Sequence, residues 1–285
     1  MKAILLQSTV PFQHVRKARR FFMYVSSDHT FAVCAYKESP YLFQCLESLA
    51  NQVSKSRIIV ATATPNAHIE NVCSRFGVEL YVNDKEPGIA SDWNFAMSRA
   101  ESALVTIAHQ DDVYGPEYSS RMLKMVNSAD VPLLYFTNYG EVRGEGRVEE
   151  NELLRVKRAM LKPLEGSLFR SSRFVRRRIL SMGSAICCPS VTMVVPNIPM
   201  PLFREGLKSN LDWEAWERVS RLQGSFLYDP LVLMYHRIHE GSETTALIKD
   251  NTRTEEDLFM FEKFWPRPVA RMLGKAYFSS QRSNG

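Results

Sequence analysis

No stretch of this sequence is apolar for long enough to cross a bilayer, which takes about 20 consecutive apolar residues. The opening "MKAILLQSTVPFQHVRKARRFFMYV" has too short and too interrupted an apolar core for a secretory signal. A soluble protein is expected, cytoplasmic or peripheral to the inner face of a membrane. The five cysteines (Cys34, Cys45, Cys73, Cys187, Cys188) show no CxxC spacing, which argues against structural zinc and a disulfide framework and for reduced thiols in apolar surroundings. Charge of one sign is scarce too. A net charge of +5 and a pI near 8.9 suit a phosphate-bearing ligand or an anionic membrane surface, but they lack the concentrated basic footprint of a nucleic-acid binder. There is no internal repeat and no low-complexity tract. Where a nucleotidyltransferase would want a glycine-rich, basic phosphate loop, the chain has "AYKESPY".

What is present is ordinary globular material, 285 residues with 45% hydrophobic and 24% charged, enough for one large domain or two joined ones. "TFAVCAY", "RIIVAT", "VELYV", "ALVTIA" and "PLLYF" are short β-branched or aromatic runs. Helical periods separate the first four: Leu42, Cys45, Leu46 and Leu49, then Ile69, Val72, Cys73 and Phe76, repeat at the spacing of one buried helix face. Pro40 and Pro116 stand where they can open helices. This alternation predicts an α/β fold with a mainly parallel, doubly wound sheet. After about Asn138 the rhythm changes to a polar, glycine-punctuated and then basic connection, an apolar patch "SAICCPSVTMVV", a Pro-rich turn, and a helix over "NLDWEAWERVSRLQG" with Asn210 as its N-cap.

In an open α/β sheet, ligands sit outside the carboxyl ends of the strands. "AYKES", "ATATPN" and "HQDD" all fall there. Two carboxylates and an imidazole in "HQDD" are oxygen and nitrogen donors for a divalent cation that bridges to a diphosphate. The plainer reading is that Asp111 and Asp112 cap the helix over "GPEYSSRMLKMV". For Asp111 the functional reading leads; for Asp112 both stand.

The order "FAVCAYKESPYLFQCLESLANQ", "RIIVAT", "GIASDWNFAMSRAESALVTIAHQDDVY" and then "NLDWEAWERVSRLQGSFLYDPLVLMYHRIHEGSETT" resembles a family 2 glycosyltransferase of GT-A fold over roughly residues 30–245. The resemblance implies a nucleotide-sugar-binding half at 30–138 and an acceptor half at 139–250, flanked by an N-terminal extension (1–29) and a C-terminal helical tail (251–285). It implies inverting transfer of a sugar from a nucleoside diphosphate. Ala35, Tyr36, Glu38 and Asn94 would lie at the nucleotide, and His109, Gln110 and Asp111 would replace the family's Asp-x-Asp, with Asp111 as the direct metal ligand. His109 departs from the pattern; as a ligand it favours Mn²⁺ over Mg²⁺, and otherwise it bonds the ribose or a phosphate. The acid that usually grips the base after the second strand is missing from "ATATPN". Thr62, Thr64 and Asn66 offer hydrogen bonds to a pyrimidine instead, which makes a UDP-sugar the expected donor. Asp212 would be the general base on the acceptor side, against a plainer role as a first-turn carboxylate favoured by the helix dipole. "YHRIHEGSETT" would fold over the diphosphate, with Arg237 as a cation for the nucleotide and His239 as a further metal ligand; His236 is read as a plain loop residue. Trp213 is placed as an acceptor platform and Trp216 in the core.

The basic run "RSSRFVRRR" and the aromatic tail "FMFEKFWPRPVARMLGKAYF" suggest an edge that touches a membrane, consistent with a glycan or lipid-linked acceptor in surface polysaccharide synthesis. A solvated charged face and a packed tail helix are the plainer reading. The alternative function is a non-catalytic member that binds a nucleotide or glycan in a polysaccharide assembly complex, suggested by His109 and the missing base-gripping acid.

Overall fold

The computed structural model describes residues 23–85, 88–239 and 252–282; Ser242, counted with the loop after the last strand, lies outside them. Four of the expected runs form a parallel ladder in the order β3-β2-β1-β4: β1 (His29–Ala35), β2 (Arg57–Thr62), β3 (Glu79–Val82) and β4 (Leu104–His109). Alternate side chains of these strands enter two cores, as a period of two requires. Phe31, Val33 and Val60 pack with α1 (Leu42–Ala50) and α2 (Ala67–Phe76) on one face, while Ala32, Ile59 and Ile107 pack with α3 (Ile89–Ala100) on the other. Leu42, Cys45, Leu46 and Leu49 are all buried, as their spacing predicts. Asn66 caps α2 by accepting from Ile69 N, and Gly77 ends it at φ 61°, a left-handed turn that costs glycine nothing.

The second half joins the same sheet. β8 (Val191–Val194) lies antiparallel between β4 and β6 (Pro132–Arg143), and β6 runs parallel to β9 (Ser225–Ile238). The two-residue β5 (Val113–Tyr114) pairs antiparallel with β9, and β7 (Gly146–Val148) pairs with β6. The nine-stranded sheet is therefore mixed rather than mainly parallel. Part of the apolar patch "SAICCPSVTMVV" is a central strand, bracketed by Pro189 and Pro196, and periodicity carries no information on strand direction. The expected boundary at 138/139 falls inside β6, so the two halves share a sheet.

Helices α4 (Tyr118–Val126), α5 (Glu152–Leu161), α6 (Arg173–Leu180) and α7 (Leu211–Ser220) complete the layers with α8 (Thr252–Glu262) and α9 (Arg267–Arg282). The C-terminal helices are structural: Met260 and Phe261 are buried, and the Phe261 ring meets Trp213 edge-on at 5.2 Å. The Glu256 carboxylate accepts from the backbone N–H groups of Lys208, Ser209 and Asn210 at 2.7, 2.8 and 2.9 Å, just ahead of α7. Asn210 occupies the N-cap position, but its side chain donates to Asp257 Oδ1 and accepts nothing from the helix. Among the described residues no helix is long and apolar enough to cross a membrane.

Candidate functional site

β4 ends at His109, and the chain turns at once, Asp112 N donating to His109 O. The β5–β9 register sets Val113 against Tyr235 and so brings Asp112 beside His236. Asp112 is fully buried; its Oδ1 accepts from Arg237 N at 3.0 Å and meets His236 Nδ1 at 2.9 Å. Next to it, Asp111 Oδ2 meets His239 Nε2 at 2.8 Å. Two carboxylate–imidazole pairs thus stand side by side at the carboxyl end of the sheet. Neither aspartate caps α4, which begins at Tyr118.

Burial would raise the Asp112 carboxyl, but His236 and then His109 outweigh it and hold it below its ordinary value. Burial likewise works against a charged His236, yet Asp112 and Asp111 raise it above the ordinary imidazole value. Each group thus favours the charged form of the other, and the reading of His236 as a plain loop residue is corrected.

His109 stacks on Trp93 at 5.3 Å, and its Nδ1 lies 3.7 Å from Asp112 Oδ2. His109 Nε2 and Asp112 Oδ2 are both buried without a hydrogen-bond partner. Orphaned buried polar atoms are costly, and their chemistry, imidazole nitrogen and carboxylate oxygen, fits a divalent cation. Ligand atoms of His109, Asp112 and His236 lie within 4.8 Å of one another.

The other expected residues divide into those that face outward and those engaged inside the protein. Tyr36 and Glu38 are exposed beyond Ala35, the last residue of β1. The half-buried Gln110 amide accepts from Tyr36 N and donates to Tyr36 O, both at 3.0 Å, clasping β1 to β4. Thr62 is buried with its hydroxyl taking Thr64 N, and Thr64 Oγ1 takes Lys37 N at 2.6 Å. The Asn66 amide is committed to α2 and to Thr64 O. The half-buried Asn94 amide both donates to and accepts from the Phe203 backbone, bracing α3 against that segment. Arg237 is only 6% exposed; its guanidinium bonds Asp111 O and Gln44 Oε1 and lies 4.2 Å over the Tyr41 ring. Trp213 is fully buried with Nε1 donating to Leu180 O, so it packs the core and offers no face to an acceptor. Trp216 is in the core as expected.

Asp212 sits half-buried in the first turn of α7, where Oδ1 accepts from Trp213 N. Its charge and that of Asp112 both help raise the thiols of half-buried Cys187 and buried Cys188, after the larger effect of desolvation. The thiol pair therefore lies within the field of both carboxylates. Glu214, the neighbour that resembles Asp212 in sequence, is fully buried and bound to Arg218 and Lys263 at 2.8 and 2.9 Å.

Three residues escaped the sequence reading. Lys37, at φ 54°, stands at the end of β1 with its ammonium 4.9 Å from the Tyr36 ring centre. Asp92, in the first turn of α3, accepts from Asn83 Nδ2 at 2.8 Å, and Asn83 N donates to Thr62 O, which brings a carboxylate to the ends of β1–β3. Lys157 is half-buried on α5, hydrogen-bonds the Tyr139 hydroxyl at 2.8 Å and, among the described residues, has no carboxylate within 4.0 Å. A lysine between Leu154 and Leu161, on the apolar side of its helix, was the available signal.

The model of glycosyl transferase family 2 matches residues 30–193, more than half of the sequence, and the chain belongs to that family. No curated protein sequence matches it. Among solved structures it is similar to S. aureus TarS 1–349 in complex with UDP-GlcNAc, with a TM-score of 0.58 and 16% identity over 88% of this chain and 71% of that one. It is also similar to the mannosyltransferase PcManGT from Pyrobaculum calidifontis in complex with GDP-Man and Mn²⁺, with a TM-score of 0.55 and 13% identity over 90% and 70% of the two chains. A longer TarS chain matches at 0.54 and 15% identity over 88% of this chain, which spans only 42% of it. At these identities the likeness establishes the GT-A-type fold.

Proposed function

We propose that the chain transfers a sugar, with inversion at the anomeric carbon, from a nucleoside diphosphate to a glycan or lipid-linked acceptor in the building of a surface polysaccharide. The observation that carries this reading is the meeting of two Asp–His pairs, from segments more than a hundred residues apart, at the carboxyl edge of the sheet, together with the half-buried Asp212 in the first turn of α7. Asp111 is the carboxylate open to a ligand, and we assign it the metal together with His239 and His109. A divalent cation there would offset the charge of the departing diphosphate. Asp112 and His236 hold the turn that presents Asp111, and His109, Asp112 and His236 are the competing donor set. The mixture of imidazole and carboxylate favours Mn²⁺ over Mg²⁺.

Asp212 takes the proton of the acceptor hydroxyl as that oxygen bonds the anomeric carbon and the bond to the diphosphate oxygen breaks on the opposite face. Tyr36, Lys37 and Glu38 border the nucleotide, and Asp92 replaces the base-gripping acid that "ATATPN" lacks. A UDP-sugar is the donor to test first. The non-catalytic reading draws on His109 standing in place of an aspartate; it expects nucleotide or glycan binding without turnover.

Calorimetric titration of UDP and GDP, with and without Mn²⁺, into the intact protein and into Asp111→Asn and Asp112→Asn is the test. Metal-dependent binding lost most strongly in Asp111→Asn supports the assignment, and greater loss in Asp112→Asn moves the cation to the competing set. Failure of both nucleotides under every metal condition overturns the reading. Turnover of a bound donor, abolished by Asp212→Asn, separates the transferase from the non-catalytic reading.

A further inference from the structure

We infer that the outer face of α6 and the loop before it dock on an anionic lipid surface. Residues 166–182, "GSLFRSSRFVRRRILSM", contain five arginines and no acidic residue. The fold sorts those arginines into different roles. Arg176 is buried, donates to Leu222 O and lies over the Phe226 ring, and Arg177 is bound to Glu217. Among the described residues no carboxylate lies within 4.0 Å of Arg170, Arg173 or Arg178, and Arg173 and Arg178 are exposed. Beside them Leu168 is 78% exposed, Phe174 72%, Met182 48% and Phe169 43%. One exposed apolar side chain is ordinary, but a cluster of large ones among unneutralised cations is the composition of a surface that settles at a bilayer interface. Phe174 and Arg178 are four apart on α6 and share one face, and Met182 stands in the turn that follows the helix.

The adjoining C-terminal helix extends that face. The Arg178 guanidinium lies 5.6 Å from the Phe174 ring centre and 4.7 Å from that of Trp265, whose Nε1 donates to Ser181 O. From Lys263 onward the sequence has no acidic residue, and Arg267, Arg271, Met272 and Lys275 of this segment are exposed. Arg267 meets Glu262 at 3.5 Å, but the other exposed cations of this face have no carboxylate within 4.0 Å among the described residues; such charge selects an anionic partner, and protruding apolar tips select one they can enter. A lipid surface with anionic headgroups offers both.

α6 also packs directly on α7, through Trp213 Nε1 to Leu180 O and Arg177 to Glu217. Docking would hold the helix that carries Asp212 next to the bilayer, where a lipid-linked acceptor lies. The contact itself does not rest on the transferase reading, and its test reads binding rather than turnover.

The experiment is co-sedimentation of the full chain with phosphatidylcholine vesicles with and without phosphatidylglycerol, at low and high salt. Two double variants, Arg173→Glu/Arg178→Glu and Leu168→Ser/Phe174→Ser, are compared with it. The intact protein is expected to pellet with the phosphatidylglycerol vesicles and to release as salt rises. Each cation removed should weaken binding about fivefold, and reversal more, while the Ser variant should lose the binding that survives salt. All four side chains are exposed, so melting temperatures should stay at the parent value and make the comparison valid. Absence of binding to anionic vesicles, or equal binding by the parent and both variants, overturns the inference. So does gel filtration that shows a dimer broken by Phe174→Ser, which would make the patch a self-association surface.

Discussion

Asp112→Asn isolates the charge of the Asp112–His236 pair. Asparagine keeps an oxygen where Oδ1 accepts from Arg237 N and His236 Nδ1, at 3.0 and 2.9 Å, so the hydrogen bonds survive and only the ionic part is lost. Charge-assisted bonds contribute about 1.5–3 kcal/mol and neutral ones about 0.5–1.5, which sets the cost of the substitution at about 1–2 kcal/mol near pH 6. The pH dependence is the sharper readout. His236 is raised in the folded protein, by Asp112 and Asp111 acting against burial. A raised imidazole contributes stability that is fully present below its unfolded value of about 6.5 and is lost as pH rises through the folded value. The cost of Asp112→Asn should therefore be largest near pH 6 and shrink toward pH 8.5. Urea denaturation of both proteins at several pH values, in EDTA so that no cation contributes, measures it. A difference that is constant with pH, or that grows as pH rises, would refute an ionic pair.

Asp212→Asn should lower transfer by about 10²- to 10⁴-fold, the range for loss of a general base, with nucleotide affinity by calorimetry unchanged. Glu214→Gln, two residues on, should act on stability instead: it leaves Arg218 without its buried counter-charge and Lys263 with Glu217 alone, and should cost about 3 kcal/mol in denaturant. Trp213→Phe should lower stability by about 2 kcal/mol through a cavity and the lost bond to Leu180 O, with the acceptor KM of the folded enzyme unchanged. Gln110→Ala removes both bonds to the Tyr36 backbone. It should cost about 1–2 kcal/mol and weaken nucleotide binding with it; unchanged affinity would show that the clasp is not needed to shape the site.

The parallel strands and the faces of α1 and α2 were legible because each is a local pattern, β-branched runs and apolar positions at helical spacing. The Asp112–His236 pair was not legible, because it depends on two-residue β5 finding its register on β9 across more than a hundred residues of chain. Arg237 and Gln110 look in sequence like ligand-facing polar groups; in the fold they replace backbone pairing at the ends of strands, where unpaired donors and acceptors must be answered from within. Trp213 misled for a related reason. Eight of the ten residues of α7 are buried, Glu214 and Glu217 among them, because Lys263, Arg177, Arg218 and Arg221 carry the counter-charges. Sequence periodicity takes charged positions for a solvent face, and here they are interior.

That interior arrangement bears on how Asp212 is held. The start of α7 has donors that its own N-cap side chain does not answer, since Asn210 turns to Asp257. Glu256 of α8 supplies a carboxylate to three consecutive N–H groups ahead of the helix, and Phe261 of α8 closes over Trp213, the residue beside Asp212. α6 braces α7 from another side through Leu180 and Arg177. A base that must meet an acceptor hydroxyl within hydrogen-bond reach needs such restraint, and it comes from segments that sequence reading set aside as a basic connection and a tail. The same α6 that packs against α7 carries the exposed arginines and aromatic tips, so the proposed lipid contact and the proposed base fall on one helix pair.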